Sequence, residues 1–487
     1  MLFRMNSILS ACLLLIFLFP SVMQPQEKAD QIDEIMDAYN ENRQFNGSVL
    51  VAEHGDVLFK GGYGLANMEW DIPNTPDTKH RIGSVTKQFT AMLILQLAEE
   101  DKLDLHAPIL TYLPDFREET GKQITTHHLL IHSSGLPNYT STPNFRELTR
   151  QHLTIQEMVQ KYAQEDLEFE PGARFAYSNT GYLVLGAIIE KITGNSYETE
   201  LQQRILEPVG MDNSGYDHNS YVLEKRASGY DKVFTGYENT EFIDMTIPHA
   251  AGAMYSTVED LFKWDRSLYN NKLLPRKWMQ EYFEPRISTG RGEYAFGWFI
   301  SNWPTGTEGD SVKVIEHGGG INGFNAGFVR LVRDEHTIIL LNNTGGTILN
   351  EISRKIIRIL YGNDYEVPVT PVTEILRQSI IEHGVEKAKS LYLDLRAEQE
   401  KKYEFNPSQL NSLGYQLMGA ERYADAIEIF KLNVETYPEN ANAYDSLGEA
   451  YMNDGQTDLA IKNYARSLEL NPDNTNAVNM LEKLQQD

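Results

Sequence analysis

Cysteine occurs once in this 487-residue chain, at Cys12. The residues beyond it can therefore form no disulfide, no thiolate nucleophile and no cysteine-bound metal centre. Positive charge is also scarce. Lys and Arg number 43 against 69 Asp and Glu, a formal net charge of −26. A phosphate backbone or an anionic membrane would need basic surface, so no nucleic-acid partner is expected. Long apolar runs are missing too. The run Ile8 to Phe19 is too short to span a bilayer comfortably. Arg4 precedes it, Pro20 breaks it and polar Gln24-Pro25-Gln26-Glu27 follows. Residues 1–23 thus read as an export signal, and the expected location is periplasmic or secreted. No transmembrane span is expected once the signal is removed. Leu9-Ser10-Ala11-Cys12 resembles a lipoprotein box, but its cysteine precedes most of the apolar run, which argues against lipid anchoring.

What is present divides the chain in two. An amphipathic helix over residues 29–44 leads into strands Gly47–Glu53 and Val57–Tyr63, joined by a His54-Gly55-Asp56 turn. A long, mostly helical and loop-rich stretch runs to about residue 285. Strand patterns then return at Phe296–Ser301, Ser311–Glu316, Gly323–Arg330 and Thr337–Asn342, followed by a helix over Leu349–Tyr361. Strands at both ends with helices between predict one α+β domain over 29–362, whose sheet joins its two ends. Residues 363–372, with Val367-Pro368-Val369-Thr370-Pro371, read as a stiff linker. Residues 373–487 are purely helical in pattern. Ser412-Leu413-Gly414 returns 34 residues on as Ser446-Leu447-Gly448, Ala426 as Ala460, Phe430 as Tyr464 and Pro438 as Pro472. That period and those offsets resemble tetratricopeptide repeats. Residues 373–403 read as a degenerate helix pair and 474–485 as a capping helix.

Three stretches can carry chemistry. Ser84-Val85-Thr86-Lys87 is the chain's one S-x-x-K and opens a helical run. That spacing puts hydroxyl and amine on one helix face, with the N–H groups of the helix start beside the serine. A lysine there can take or relay the hydroxyl proton. Tyr177-Ser178-Asn179 precedes a helix at Gly181–Thr193. A phenol near a lysine has its ionisation favoured by the positive charge and can serve as base and then acid. An adjacent amide can hold a substrate carbonyl. His317-Gly318-Gly319-Gly320 follows a strand. Its glycines would let a ligand lie against the strand edge, and Gly320 N–H with Ser84 N–H could form an oxyanion hole. In isolation the same glycines read as a hairpin-like turn.

In this order, and with their flanks, these stretches resemble the serine family of class C β-lactamases, D-Ala-D-Ala carboxypeptidases of the penicillin-binding type, D-aminopeptidases and related esterases. The flanks are Arg81-Ile82-Gly83, His128-Leu129-Leu130-Ile131-His132-Ser133-Ser134-Gly135-Leu136-Pro137, Gly181–Gly186 and Ala251–Leu261. The resemblance implies an antiparallel sheet flanked by helices plus a helical region. It implies Ser84 as nucleophile, Lys87 assisting proton transfer, and Tyr177 as general base then acid. Asn179 would bind the substrate amide, and Ser84 and Gly320 N–H groups the oxyanion, alongside His317, Gly318 and Gly319. No cofactor or metal is implied. Class C β-lactamases have Lys-Thr-Gly where this chain has His317-Gly318-Gly319. A largely neutral imidazole and a glycine replace a cation and a hydroxyl, so peptidase or esterase action on small amides, esters or D-residue peptides is expected over β-lactam hydrolysis.

The alternative is a binding protein whose hydrolase-like domain is a receptor and whose repeats recruit a protein partner. The complete Ser84, Lys87 and Tyr177 set favours the enzyme. His127, His128 and His132 lack the carboxylate of a zinc helix, so packing and capping are expected of them. Tyr230–Asp244, acidic and aromatic, reads as a surface loop, with a place at the pocket's border as the alternative.

Overall fold

A computed structural model describes residues 24–346, 349–398 and 402–484. The export-signal reading and Cys12 lie outside these. Eight strands form one antiparallel sheet, in the order Ile287–Ser288, Glu293–Tyr294, Phe299–Pro304, Ser311–Ile321, Phe324–Leu331, His336–Asn342, Gly47–Glu53 and Asp56–Tyr63. The chain's early hairpin joins its late strands where Gly47–Ala52 pairs with Thr337–Asn342. Both of these strands are buried almost throughout, so each face needs an apolar cover. One face packs under helices Pro25–Glu41 and Leu349–Leu360, through Ile35, Tyr39, Ile352 and Ile356. The other meets the larger helical region, whose centre is Thr86–Glu99. From Thr86 to Ala98 every residue of that helix is buried, the polar Thr86, Lys87, Gln88, Thr90 and Gln96 included.

Three expectations shift. The strand placed at Phe296–Ser301 runs instead over Phe299–Pro304. Gly297 sits at φ +81, and a Cβ there would come within 3.0 Å of Lys87 O, so the chain turns before pairing. His317-Gly318-Gly319-Gly320 lies inside the strand Ser311–Ile321, and the turn falls later, before Phe324. Thr370–Pro371 pairs in parallel with Tyr403–Glu404, and helix Val372–His383 begins within the stretch read as linker.

Beyond it, helices Val372–His383 and Val385–Glu398 precede two repeat pairs, Pro407–Gly419 with Tyr423–Thr436 and Ala441–Asn453 with Thr457–Leu470. Helix Thr475–Leu484 closes the stack. The repeated small and aromatic positions meet: a Cβ on Gly414 would strike the Phe430 ring at 2.4 Å, and one on Gly448 would meet the Tyr464 ring at 3.1 Å. The period read from sequence is thus a packing rule, a glycine on each first helix admitting the ring of the second. Among the described residues no helix is long and apolar enough to cross a membrane.

Candidate active site

Ser84 sits in a 3-10 turn, Gly83–Val85, that feeds directly into helix Thr86–Glu99. Gly83 is at φ +50, and a Cβ there would lie 2.9 Å from both N and O of Gly320. Gly319 is tighter still, since a Cβ on it would lie 1.9 Å from Ile82 O and 3.0 Å from Ser84 N. The glycines therefore let the sheet's strand press its backbone against the backbone of the serine turn. This brings the Ser84 and Gly320 backbones together at one edge of the site.

Lys87 is fully buried at 0% exposure. Its Nζ donates to Asn179 Oδ1 and Ala251 O, each at 2.8 Å, and lies 3.1 Å from Ser84 Oγ. Burial alone drives the amine well below the ordinary lysine value of 10.5. A neutral amine has two N–H bonds and one lone pair. Both N–H bonds are taken by carbonyl oxygens, which can only accept, leaving the lone pair for the serine hydroxyl. Asn179, first residue of helix Asn179–Thr193, is itself held. Its backbone N–H and side-chain amide donate to Asn138 Oδ1 at 3.0 and 3.3 Å, and the amide also reaches Thr140 Oγ1 at 3.3 Å.

The Tyr177 ring lies 4.9 Å from Lys87 Nζ. Burial pushes its phenol up, a hydrogen bond with Ser84 holds it down by less, and Glu316 adds to the rise. Burial thus works against the expected ionisation of Tyr177, raising the phenol while it lowers the neighbouring amine. Glu316 lies on the next strand position from His317, and burial raises its carboxyl from 4.5 to about 7 while Arg354 lowers it.

His317 is buried and uncharged, pushed down to about 3 chiefly by burial. Its tautomer is fixed by a chain of hydrogen bonds. Ser178 N–H donates to His132 Nδ1 at 3.1 Å, so His132 carries its proton on Nε2, which lies 3.2 Å from Tyr294 Oη. Tyr294 Oη lies 3.2 Å from His317 Nε2, and His317 Nδ1 lies 2.6 Å from Gly318 O. Gly318 O can only accept, so Nδ1–H donates to it and Tyr294 O–H donates to Nε2. His132 is thereby a support of the site. His128 caps its own helix, accepting from Thr125 N–H at 3.3 Å, and His127 packs on His106 and Phe296.

Sequence reasoning missed Asn138, Thr140, Tyr294, Glu316 and the carbonyl of Ala251. Ala251 lay in a stretch singled out by resemblance, but a backbone acceptor leaves no mark on residue type. Two other features stand apart from this group. A cavity of about 520 Å3 between Leu113–Phe116 and Glu190–Ser196 includes none of Ser84, Lys87 or Tyr177. Among the described residues Glu53, His54 and His336 bring metal-capable atoms within 4.8 Å of one another. There His54 N–H donates to His336 Nδ1 at 3.2 Å and Lys28 pairs with Glu53 at 2.5 Å, so part of the ligand capacity is spent.

The sequence model of the Beta-lactamase family matches residues 32–361, and that of the tetratricopeptide repeat matches 441–474. The chain is similar to penicillin-binding protein 4* of Bacillus subtilis (strain 168), 29% identical over 364 residues, covering 71% of this chain and 79% of that protein. It is similar to teichoic acid D-alanine hydrolase of Staphylococcus aureus (strain MRSA252), 29% identical over 330 residues, covering 66% and 75% respectively. Among solved structures it is similar to D-amino acid amidase from Ochrobactrum anthropi SV3 complexed with D-phenylalanine, with a TM-score of 0.60 and 26% identity, covering 69% of this chain and 99% of that one.

Proposed function

Because the chain belongs to the Beta-lactamase family and is a serine hydrolase, we propose that it hydrolyses small amides or esters with a D-configured acyl group through an acyl-enzyme on Ser84. The observation that carries this reading is the buried Lys87 amine, both of its N–H bonds committed to carbonyl oxygens and its remaining face 3.1 Å from Ser84 Oγ. Similarity to proteins named for D-alanine and D-amino acid substrates supports the D configuration.

In acylation, Ser84 Oγ attacks the carbonyl carbon while its proton passes to the lone pair of Lys87. Negative charge builds on the carbonyl oxygen, where the N–H groups of Ser84 and Gly320 stabilise it. The bond from carbon to the leaving nitrogen or oxygen breaks, and Tyr177, a neutral phenol, gives the leaving group its proton and recovers one from Lys87. In deacylation a water attacks the ester carbon, its proton returns through the same pair, and Ser84 Oγ leaves as a hydroxyl. Tyr177 is thus acid first, with Lys87 as the base, the order that their opposite pKa directions favour. Asn179 orients the substrate amide while anchoring Lys87. His317, neutral and with Gly318 beside it, supplies no cation for a lactam carboxylate, so β-lactams are poor substrates in this reading.

The protein acts outside the cytoplasm after loss of residues 1–23, its hydrolase domain spanning 29–362 and its repeats spanning 373–487 and offering a face to a protein partner. The test is turnover of a D-alanyl ester and its L-enantiomer by wild type, Lys87→Ala and Ser84→Ala. Preference for the D-ester, lost in both variants, is expected. Equal turnover of both enantiomers would remove the D-specific part of the reading, and turnover that survives in Ser84→Ala would remove the mechanism.

A further inference from the structure

The stretch Tyr230–Asp244 touches both the repeats and segments that neighbour the active-site elements. It starts at the end of the central sheet, where Tyr230 N–H donates to Asn343 O at 3.0 Å and Gly345 N–H donates to Tyr230 O at 2.9 Å. It then forms a hairpin of Tyr230–Val233 and Gly236–Asn239. Two such short strands are marginal by themselves in water, so the hairpin's place depends on what grips it.

The grip comes from the repeat side. Phe234, at the hairpin tip, is only 2% exposed and belongs to one apolar cluster with Val372, Leu376 and Leu417. The Arg422 guanidinium stands 4.9 Å from its ring centre, and Arg377 donates to its carbonyl oxygen at 3.2 Å. The flanks are fastened as well. Arg43 donates to Gly236 O at 2.7 Å and to Glu374 at 3.1 Å, and Lys232 pairs with Glu374 at 2.5 Å.

The returning end of the same stretch touches elements that carry the site. Gly323, two residues past Ile321, packs so closely that a Cβ on it would lie 2.7 Å from Gly229 and 2.8 Å from Thr240. Asn322 donates to Glu241 O at 2.9 Å, and Arg146 donates to the Glu241 carboxylate at 3.1 Å. Asn322 follows the strand that holds His317 to Gly320, and Arg146 follows the Asn138–Thr140 stretch that holds Asn179. Beyond the segment's end, Tyr139 donates to Ile247 O at 3.1 Å, and Ala251 O accepts from Lys87.

We propose that Phe234 is a positioning residue, through which the repeat domain fixes the Tyr230–Asp244 segment as the substrate-facing rim of the Ser84 site. It touches no reacting atom. It sets how acyl donors that extend beyond the reacting group are held, and so makes the repeats part of the enzyme's specificity. The activity side of this inference rests on the hydrolase reading above.

The test compares full-length wild type with Phe234→Ala and, as a milder change that leaves the ring in place, Arg377→Ala. Hydrogen exchange across 236–244 should quicken by about fivefold or more in Phe234→Ala, and less in Arg377→Ala. Labelling of Ser84 by a small fluorophosphonate should stay within about twofold of wild type, while KM for a D-alanyl peptide ester rises about fivefold or more with little change in kcat. Unchanged exchange in folded variants would overturn the proposal. So would labelling rate and KM deteriorating together, since that is general destabilisation. If Phe234→Ala does not fold, Phe234→Leu and Arg377→Ala decide by the same measurements. If wild type is not labelled at all, the hydrolase reading fails, and the exchange measurement still decides whether Phe234 anchors the rim.

Discussion

Replacing Gly319 and Gly318 in turn with alanine should separate the roles of these two adjacent glycines. A Cβ at 319 would fall 1.9 Å from Ile82 O, 2.9 Å from Ile82 C and 3.0 Å from Ser84 N, all backbone atoms that no rotamer change can move. The nearest contact is about 1.5 Å short of ordinary packing, so strand and serine turn must separate by roughly that much. Overpacking of this kind costs about 1–3 kcal/mol. The separation acts on Ser84 N and Gly320, the proposed oxyanion donors, and a misplacement of about 1 Å can cost on the order of 100-fold in rate. At Gly318 a Cβ would meet nothing nearer than Ala326 O at 3.6 Å, an ordinary contact. The assay is the second-order rate of fluorophosphonate labelling at Ser84, with a thermal melt of each variant. Gly319→Ala should label on the order of 100-fold more slowly and melt lower, whereas Gly318→Ala stays far closer to wild type in both. Equal behaviour of the two variants would refute the argument that the strand's approach to the serine turn, rather than glycine content, shapes the site.

Two further outcomes are expected. Glu316 is raised from 4.5 to about 7, so the native state holds a proton there that the unfolded chain releases. Its protonated form favours folding at low pH, and that contribution is lost as pH rises from 4.5 through about 7. Glu316→Gln should therefore match wild type near pH 4.5 and exceed it above pH 7 by on the order of 1–3 kcal/mol; a constant difference across denaturant titrations at several pH values would contradict this. Tyr294→Phe removes the donor to His317 Nε2 and the acceptor for His132, leaving two buried imidazole nitrogens without that partner. A loss of about 1–3 kcal/mol per unmet group is expected in a denaturant melt, and an unchanged midpoint would mean the chain of hydrogen bonds is not needed.

Much of this was legible in sequence because local pattern and packing agree. Gly47–Glu53 alternates little and is apolar, as a strand covered on both faces must be, and it forms where expected. The 34-residue offset matched Gly414 with Gly448 and Phe430 with Tyr464 in the sequence, and the structure adds that each glycine faces the ring of its own pair. What sequence missed depended on contacts between distant segments. His317 to Gly320 look like a turn because nothing in the residues reveals that Ile82 O needs the space of a Cβ at 319. Tyr177 looks ionisable beside a lysine because spacing says nothing of burial, a property of the whole fold, which raises the phenol and lowers the amine. The acidic, aromatic stretch around Phe234 reads as surface loop because the cluster that buries its tip is built from residues more than a hundred positions later.

The most direct test of the central claim is the intact mass of wild type and Ser84→Ala after exposure to a fluorophosphonate. The account predicts a single adduct on wild type, mapped to Ser84, with none on the variant. An unmodified wild type, or an adduct that persists in Ser84→Ala, would contradict it.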